Sequence, residues 1–486
     1  MSRQSRGMIV AGTLIFALLF SLTIRSASAE RVVGVTWDRT YVSAIPGTSS
    51  VEQASDGGFI ISAEGRGQEI MKANTVGLPE WQKEYTPVGF VVCCDSVTRT
   101  VMQTSDGGYI IVGTVLSNGY VTGFDGWVLK LNSRGSVEWS KTYGGANDDT
   151  FVSGLQTSDG GYIVAGNTQS FGSPYHISNG WVLRLGEEGN IVWQETFEGQ
   201  EVHSIDQTSD GGFIVAGSVG VAGLADAWLL KMGRGGTVEW QKAYDFRVDD
   251  NTGSIQGAFS AHQTTDGGYI AVAEKMIFRP YGGSLTSEAL ILRLDPNGDT
   301  LWLDSYNGGG FTTAYSVQQF SDMGFIIAGR FQPSFASLGG SYVGSSGPWL
   351  LRLDSSGDMI WQNIYGGEND LLIQAQETRD GGIIAVGSKD GNCCANLAWA
   401  LKLDSAGSIR GCPVGVKSNA TLTDTSAVVT STTVAGVPTN ATGTSTDVTV
   451  TAPLLLVQNQ CDLQNQQARD ENKHTVQTPL PSITHM

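Results

Sequence analysis

Short apolar runs recur along the chain, each entered from a tight polar turn. Tyr109–Val112, Tyr162–Ala165, Phe213–Ala216 and Phe325–Ala328 are unbroken, the pattern of a strand buried on both faces. A second kind of run follows, opening on Trp: Trp127–Leu131, Trp181–Leu185, Trp228–Met232, Trp349–Leu353 and Trp399–Leu403. A third carries another Trp in a Trp-Gln-Lys-x-Tyr-like string. A fourth, more polar, precedes the turn, as in Thr100–Thr104 and Ser204–Thr208. The turns are Asp-Gly-Gly, or short Gly-containing polar stretches such as 295–298 and 354–357. Gly supplies positive φ there, and Asp bonds the turn's own backbone. The pattern predicts units of four strands, A to D in chain order.

The units repeat. The turn Asp falls at Asp56, Asp106, Asp159, Asp210, Asp266, Asp322 and Asp380. The strand D Trp falls at Trp37, Trp81, Trp139, Trp193, Trp240, Trp302 and Trp361. Spacings of roughly 50 residues mark a repeat architecture. Six copies place Ser or Thr six residues before the Asp: Ser50, Thr100, Ser153, Ser204, Ser260 and Ser316. Four antiparallel strands repeated around a ring make a β-propeller, whereas a solenoid needs capping repeats. After Ala406-Gly407 the last copy lacks its strand D Trp, and the chain begins with a lone strand D, Val33–Tyr41. The expected fold is therefore all-β: a seven-bladed β-propeller of four-stranded antiparallel blades. The N-terminal strand completes the last blade, leaving no open edge at the junction. A small Thr-rich C-terminal extension follows.

The Asp-Gly-Gly-aromatic turn with its two Trp marks resembles kelch-type blades. The string Leu-Asp-x-x-Gly-x-x-x-Trp, at Leu294–Trp302 and Leu353–Trp361, is similar to the tryptophan motif of quinoprotein-type and outer-membrane-assembly propellers. The whole pattern resembles a broad group of secreted bacterial and archaeal repeat propellers. That resemblance implies the fold and leaves the activity open, because propellers host unrelated functions. Quinoprotein dehydrogenases have eight blades, and their cofactor-binding residues find no match here.

The A–B and C–D turns are minimal and share one face. The B–C and D–A connections share the other, and they are long and dissimilar. B–C examples are Val115–Gly126, Asn167–Gly180, Lys275–Glu288 and Gln332–Pro348; D–A examples are Pro87–Val97 and Asp245–Phe259. Long variable loops on a rigid frame carry binding. Their aromatic residues are Tyr120, Phe124, Phe171, Tyr175, Phe278, Tyr281, Phe331, Phe335 and Tyr342. Rings among small polar residues suit sugar faces or protein partners.

Candidate chemistry is sparse. The repeat Asp residues sit in minimal turns and read as structural. So do Gln53, Gln103, Gln156, Gln207, Gln263, Gln319 and Glu377, three residues earlier, as bonds to blade backbones. Acidic D–A loops bring Asp148 and Asp149, Glu368 and Asp370, and Asp249 and Asp250. Clustered oxygens suit calcium, but no Asp-x-Asp-x-Asp-Gly loop is present, so turn capping is the simpler reading; no cofactor is expected, with calcium kept as the alternative. Four residues before the repeat Asp stand Glu52, Met102, Leu155, Asp206, His262, Gln318 and Gln376, near the channel, with His203 also on a strand A. A carboxylate–His pair suits acid–base work, but nothing in the sequence fixes Asp206 against His262. Packing between blades is the simpler expectation.

Residues 1–29 read as a signal peptide: Arg3 and Arg6, the apolar run Met8–Ile24, then Ala27-Ser28-Ala29. The formal charge is −18, and cleavage after Ala29 removes three arginines and no acid. Such a surface argues against nucleic acid. No later run is long enough to span a membrane. Six cysteines in an exported chain suggest disulfides: Cys93-Cys94, Cys393-Cys394, Cys412 and Cys461. Cross-linking of the two adjacent pairs across the ring seam and a vicinal bridge within each pair remain alternatives. The expected organisation is signal peptide 1–29, propeller 30–410, Thr/Ser/Val-rich extension 411–461 with Cys412 and Cys461 as candidates to close it, and polar tail 462–486. The extension reads as a stalk, a small β appendage, or an export or attachment element. The expected role is non-catalytic binding or assembly: a protein or glycan recognised outside the cytoplasm, in a secreted, periplasmic or cell-surface location. The alternatives are an extracytoplasmic propeller enzyme, either quinoprotein-like or glycan-active, and a structural subunit of a surface assembly.

Overall fold

The computed structural model describes residues 35–42, 48–63, 68–87, 97–116, 123–172, 178–221, 224–246, 253–278, 286–307, 309–333, 346–390, 396–411, 416–417, 421–424, 428–431, 437–438, 442–445, 448–451 and 456–459. Among these residues every element is a β-strand.

One unit shows the plan. Asp149–Gln156, Tyr162–Thr168, Asn179–Leu185 and Ile191–Phe197 pair antiparallel in chain order. The same order recurs from Thr48–Gln53 to Pro79–Pro87 and from Val97–Gln103 to Val137–Gly144. The described strands between Gln200 and Ile364 belong to one fifteen-stranded sheet, with three short strands of the C-terminal extension. Within it the four-strand ladder repeats over 200–245, 253–307 and 309–364, joined by lone parallel bridges at Ala225↔Ile255 and Ser287↔Phe311. The last sheet holds Leu371–Glu377, Ile383–Asp390, Asn396–Leu403 and, as its strand D, Trp37–Val42, in register from Trp37↔Lys402 to Tyr41↔Ala398. The chain is an all-β propeller of four-stranded antiparallel blades.

The Trp-x-x-x-Tyr string of strand D is an inter-blade clamp. Trp81 lies edge-on to Tyr109 of the next unit, with centroids 5.8 Å apart. Tyr85 donates its hydroxyl to Gly135 O at 2.7 Å in that unit's C–D turn. The N-terminal strand makes the same contacts: Trp37 on Phe59 at 5.7 Å, and Tyr41 Oη to Gly77 O at 2.9 Å.

The Asp-Gly-Gly turn does more than the sequence suggests. Asp106 accepts from Gly108 N at 2.8 Å, the expected turn bond. It also holds the buried Lys130 of strand C, Nζ to Oδ2 at 2.8 Å. Every repeat Asp has such a buried partner, Lys72, Lys130, Arg184, Lys231, Arg293, Arg352 or Lys402. The first turn glycine takes positive φ, +80° at Gly107. The second has no room for a side chain, because a Cβ on Gly108 would run into the backbone carbonyl of Leu131.

Two expectations change. Several long connections are partly strand: Gly253–Gln263 begins inside the expected 245–259 loop, and Tyr109–Leu116 with Phe124–Leu131 shortens the 115–126 loop. Loop backbone that finds a neighbouring strand satisfies its polar groups by pairing. The C-terminal extension, in turn, supplies β-strands to the blades. Seven of its segments each add a fifth, antiparallel strand outside a strand D. Val416–Lys417 pairs with Met359–Ile364, Thr421–Asp424 with Thr300–Asn307, and Val428–Ser431 with Val238–Asp245. Val437–Pro438 pairs with Ile191–Phe197, Thr442–Ser445 with Val137–Gly144, Val448–Thr451 with Pro79–Pro87, and Leu456–Asn459 with Trp37–Val42. Alternating Thr and Val, with little to bury, suits a strand whose task is to cap an edge.

Candidate functional site

The A strands of the described units line one cavity of about 330 Å³. Two tiers of side chains reach it. The tier nearer the A–B turns is Glu52, Met102, Leu155, Asp206, His262, Gln318 and Gln376, the set singled out by sequence. The tier nearer the D–A connections is Ser49, Arg99, Val152, His203, Phe259, Tyr315 and Ile373. Each of these seven is the extra residue of a β-bulge: in the second unit Thr98 pairs with Gly113 and Thr100 with Val112, leaving Arg99 unpaired. A bulge re-aims a side chain, here toward the channel. Sequence reasoning named only His203 of this tier, although a signal for the rest was present. Strand B carries a glycine opposite the bulge in five units, Gly113, Gly166, Gly217, Gly329 and Gly387, and a glycine inside a strand marks a bulge or close approach.

Between and below the tiers, polar side chains tie blade to blade. Ser50 Oγ accepts from Val101 N, Ser153 Oγ from Ile205 N and Ser316 Oγ from Ala375 N, each at 3.3 Å. Gln374 replaces the Ser in the last unit, and its Oε1 accepts from Val51 N at 2.9 Å. The repeat Gln residues do the same at the turns. Ser55 N donates to Gln103 Oε1 at 2.6 Å, and the series runs through Gln156, Gln207, Gln263, Gln319 and Glu377. It closes where Arg379 N donates to Gln53 Oε1 at 2.9 Å.

The mouth tier has an aromatic side. His203 stacks on Phe259 with centroids 5.5 Å apart and planes 23° apart, and Phe259 meets Tyr315 edge-on at 6.1 Å. His203 Nδ1 lies 3.0 Å from Ala258 O. Burial holds the His203 imidazole below its usual pKa and pushes the Tyr315 phenol up. Arg99, exposed, supplies the cation. It also lines an adjoining cavity of about 320 Å³ with Phe124, Thr150 and Asn167.

In the lower tier, Asp206 and His262 are brought together, His262 Nδ1 to Asp206 Oδ2 at 2.8 Å. The sequence offered nothing to fix that pair; the neighbouring A strands of adjacent units do so. Asp206 also accepts from Gln207 N at 2.8 Å. Glu52 accepts from Gln103 N. Burial pushes its carboxyl up to about 7, against the pull of that N–H and of Arg379.

The remaining sequence candidates divide. Phe331 is fully buried, in one core with Trp349, Tyr306 and Ile364; strand B runs on to Pro333, so this ring faces the core and is not a free loop aromatic. Phe171 is half-buried and tilts onto Trp181 at 5.5 Å. Phe124 is half-buried, its N–H donating to Asp148 Oδ1 at 3.0 Å. Tyr120, Tyr175, Tyr281, Phe335 and Tyr342 lie outside the described residues, as does the side chain of Phe278. Asp149 is buried and takes Gly145 N and Ser170 Oγ, each at 2.6 Å, and burial pushes its carboxyl up. Asp370 takes Gly367 N at 2.7 Å and Asp390 N at 2.8 Å. These carboxylates cap turns. Glu368 is exposed, and Asp249 and Asp250 lie outside the described residues. No group of three or more metal-ligating side chains occurs among the described residues. All six cysteines, Cys93, Cys94, Cys393, Cys394, Cys412 and Cys461, lie outside them too.

No family model matches the chain, and no curated protein does. Among solved structures it is similar to a protein of unknown function from Dyadobacter fermentans, at 12% identity and a TM-score of 0.41, over 66% of this chain and 99% of that one. It is similar to a protein of unknown function from Bacteroides caccae at 12% identity and a TM-score of 0.31, over 67% and 93%. The PQQ domain of pyranose dehydrogenase from Coprinopsis cinerea, in its holo form, aligns at 10% identity and a TM-score of 0.37, over 75% and 97%. At these levels the fold rests on the chain's own strand pairing.

Proposed function

We propose that this chain is an exported, seven-bladed binding propeller that takes the end of a glycan into its channel mouth on the long-connection face. The observation that carries the reading is the contiguous wall His203–Phe259–Tyr315 at bulge positions, opening on a cavity of about 330 Å³. Aromatic faces stack on the apolar faces of sugar rings, and a few polar groups fix orientation. Arg99, Ser49 and the Asp206–His262 pair supply those groups. The seven-blade count is supported by the Gln links that return from Arg379 to Gln53. Export is supported by residues 1–29, and N-terminal sequencing of the mature protein should read from Glu30. Arg410 N donates to Thr36 Oγ1 at 3.0 Å, and Asn459 stands opposite Arg39. Chain two residues before Cys412 thus bonds the residue preceding strand Trp37–Val42, and chain two before Cys461 pairs with that strand, which favours a Cys412–Cys461 disulfide; non-reducing peptide mapping tests it.

The functional test is calorimetry of the mature protein against a panel of neutral and acidic oligosaccharides. Binding abolished by Phe259→Ala and Tyr315→Ala, with unfolding midpoints kept, supports the reading. A mature protein that binds no glycan but retains a protein through native purification replaces it with protein recognition.

A second reading has its own observation. With Nδ1 held by Asp206, His262 has no other partner among the described residues, so Nε2 is left to serve as a base. Glycan turnover lost in His262→Gln, with binding retained, would make the site catalytic.

A further inference from the structure

The C-terminal segment visits the outer strands in reverse chain order. It starts on Met359–Ile364 and ends on Trp37–Val42. Neighbouring strands rotate by roughly 20–25°, so a blade's fourth and fifth strands lie across its first, and strands added there run along the rim. The endpoint is not an arbitrary blade. Each other strand D follows its own strand C through a tight turn. Trp37–Val42 has no such tether: it joins a strand C that lies more than 350 residues later, as the Trp37↔Lys402 and Tyr41↔Ala398 pairs show. It is the place where the ring is held without a covalent turn. Its inner edge is covered by Ala398–Lys402 and its outer edge by Leu456–Asn459.

We propose that the seven short C-terminal strands, from Val416–Lys417 to Leu456–Asn459, form a girdle whose last member locks the closing strand Trp37–Val42 into the ring. The outer rim is then a strand-acceptor surface, and its occupant is this chain's own C-terminal segment. Each added strand is only two to four residues long and weak alone. Linked in series, each holds the next at high effective concentration. The lock engages only when both Trp37–Val42 and Leu456–Asn459 are in place, so ring closure waits for the C-terminal strands. The inference is independent of the ligand.

Hydrogen exchange by mass spectrometry on the full mature protein tests it. Val457 stands opposite Tyr41, and Val429 stands opposite Tyr244. Proline in a strand removes a ladder donor. Val457→Pro should speed exchange in 37–42 and 396–403 by about tenfold or more, while Val429→Pro speeds it in 238–245 and leaves the closing strand protected. Unchanged protection of 37–42 in Val457→Pro overturns the lock. Equal loosening of every blade by either variant overturns it also, since that is general destabilisation. If Val457→Pro does not fold, native-state exchange of the unaltered protein decides. Residues 37–42 and 456–459 opening together support the lock, and 456–459 opening at low denaturant while 37–42 stays closed to global unfolding rejects it. Because no glycan enters these measurements, failure of the proposed function leaves their outcome unaffected.

Discussion

The indole N–H of Trp399 donates to Asp38 Oδ1 at 2.7 Å, across 361 residues of sequence. In other blades the acceptor is the residue after the strand D Trp, such as Gln194 for Trp181 and Gln362 for Trp349. Asp38 follows Trp37 and fills the same role from the far end of the chain. It is 2% exposed. Burial raises its carboxyl above the ordinary value, against the pull of Lys389 and of Trp399 itself. A carboxyl raised on folding gives stability that is full below the unfolded value and lost as pH rises through the folded one. Asp38→Asn keeps an acceptor and removes the buried charge, so its unfolding midpoint should exceed wild type at neutral pH and meet it in acid. Asp38→Ala leaves a buried N–H unpaired and should cost about 1–3 kcal/mol. Denaturant melts at several pH values check both.

Glu52 should make stability depend on pH in the same direction. Its folded pKa of about 7 stands above the ordinary glutamate value of 4.5. Its contribution is therefore full below 4.5 and is lost as pH rises through about 7. Glu52→Gln should be the more stable protein above that range and equal to wild type below it. An NMR titration of the Glu52 carboxyl with a midpoint near an ordinary glutamate would refute the assignment.

Lys402 is buried, and burial pulls its pKa down, against the support of Asp380 at 3.0 Å. Several other repeat cations have a second carboxylate, as Lys130 has Glu138, but among the described residues Lys402 pairs with Asp380 alone. Removing one partner of a buried pair strands the other charge. Asp380→Ala should cost about 2–3 kcal/mol, less than a fully enclosed pair because Asp380 is partly exposed. Asp106→Ala, with Glu138 in reserve, should cost less. Parallel urea melts compare them.

Met323 holds φ +69° where the other units have the first turn glycine. A left-handed side-chain residue costs roughly 1–2 kcal/mol, part of which glycine returns as chain entropy. Met323→Gly should therefore stabilise by about 0.5–1 kcal/mol. An unchanged or lower thermal midpoint would show that the turn relaxes around Met323.

Strand pairing within a unit was legible because each strand has its own pattern and the turns punctuate them. The closing strand was legible from one missing Trp and one surplus Trp37. The bonds of the repeat Gln residues to neighbouring blades follow the same regularity. Non-local placement was what escaped. The Asp206–His262 pair depends on which rotamers adjacent A strands present, and the mouth tier on bulges that shift the alternation by one residue. The girdle escaped for a different reason. A Thr- and Val-rich segment without aromatic residues carries no core signal, since what holds it is main-chain pairing to edges that the sequence does not display.

The bulges yield the sharpest test of how the mouth is built. Gly329 stands opposite Ala314, where the register slips to leave Tyr315 unpaired. A Cβ on Gly329 would stand 3.0 Å from Ala314 Cα, and closer still to the Thr313 carbonyl. The obstruction is backbone, so it cannot swing away. Gly329→Ala should cost about 2–3 kcal/mol through strain at the bulge. It should also move Tyr315 out of contact with Phe259, weakening glycan binding even where the blade stays folded. Gly324→Ala, at a turn glycine crowded by the guanidinium of Arg352, should destabilise without that loss. Affinity falling in Gly329→Ala and holding in Gly324→Ala, at matched folded fraction, would tie the channel mouth to the bulge and not to stability in general.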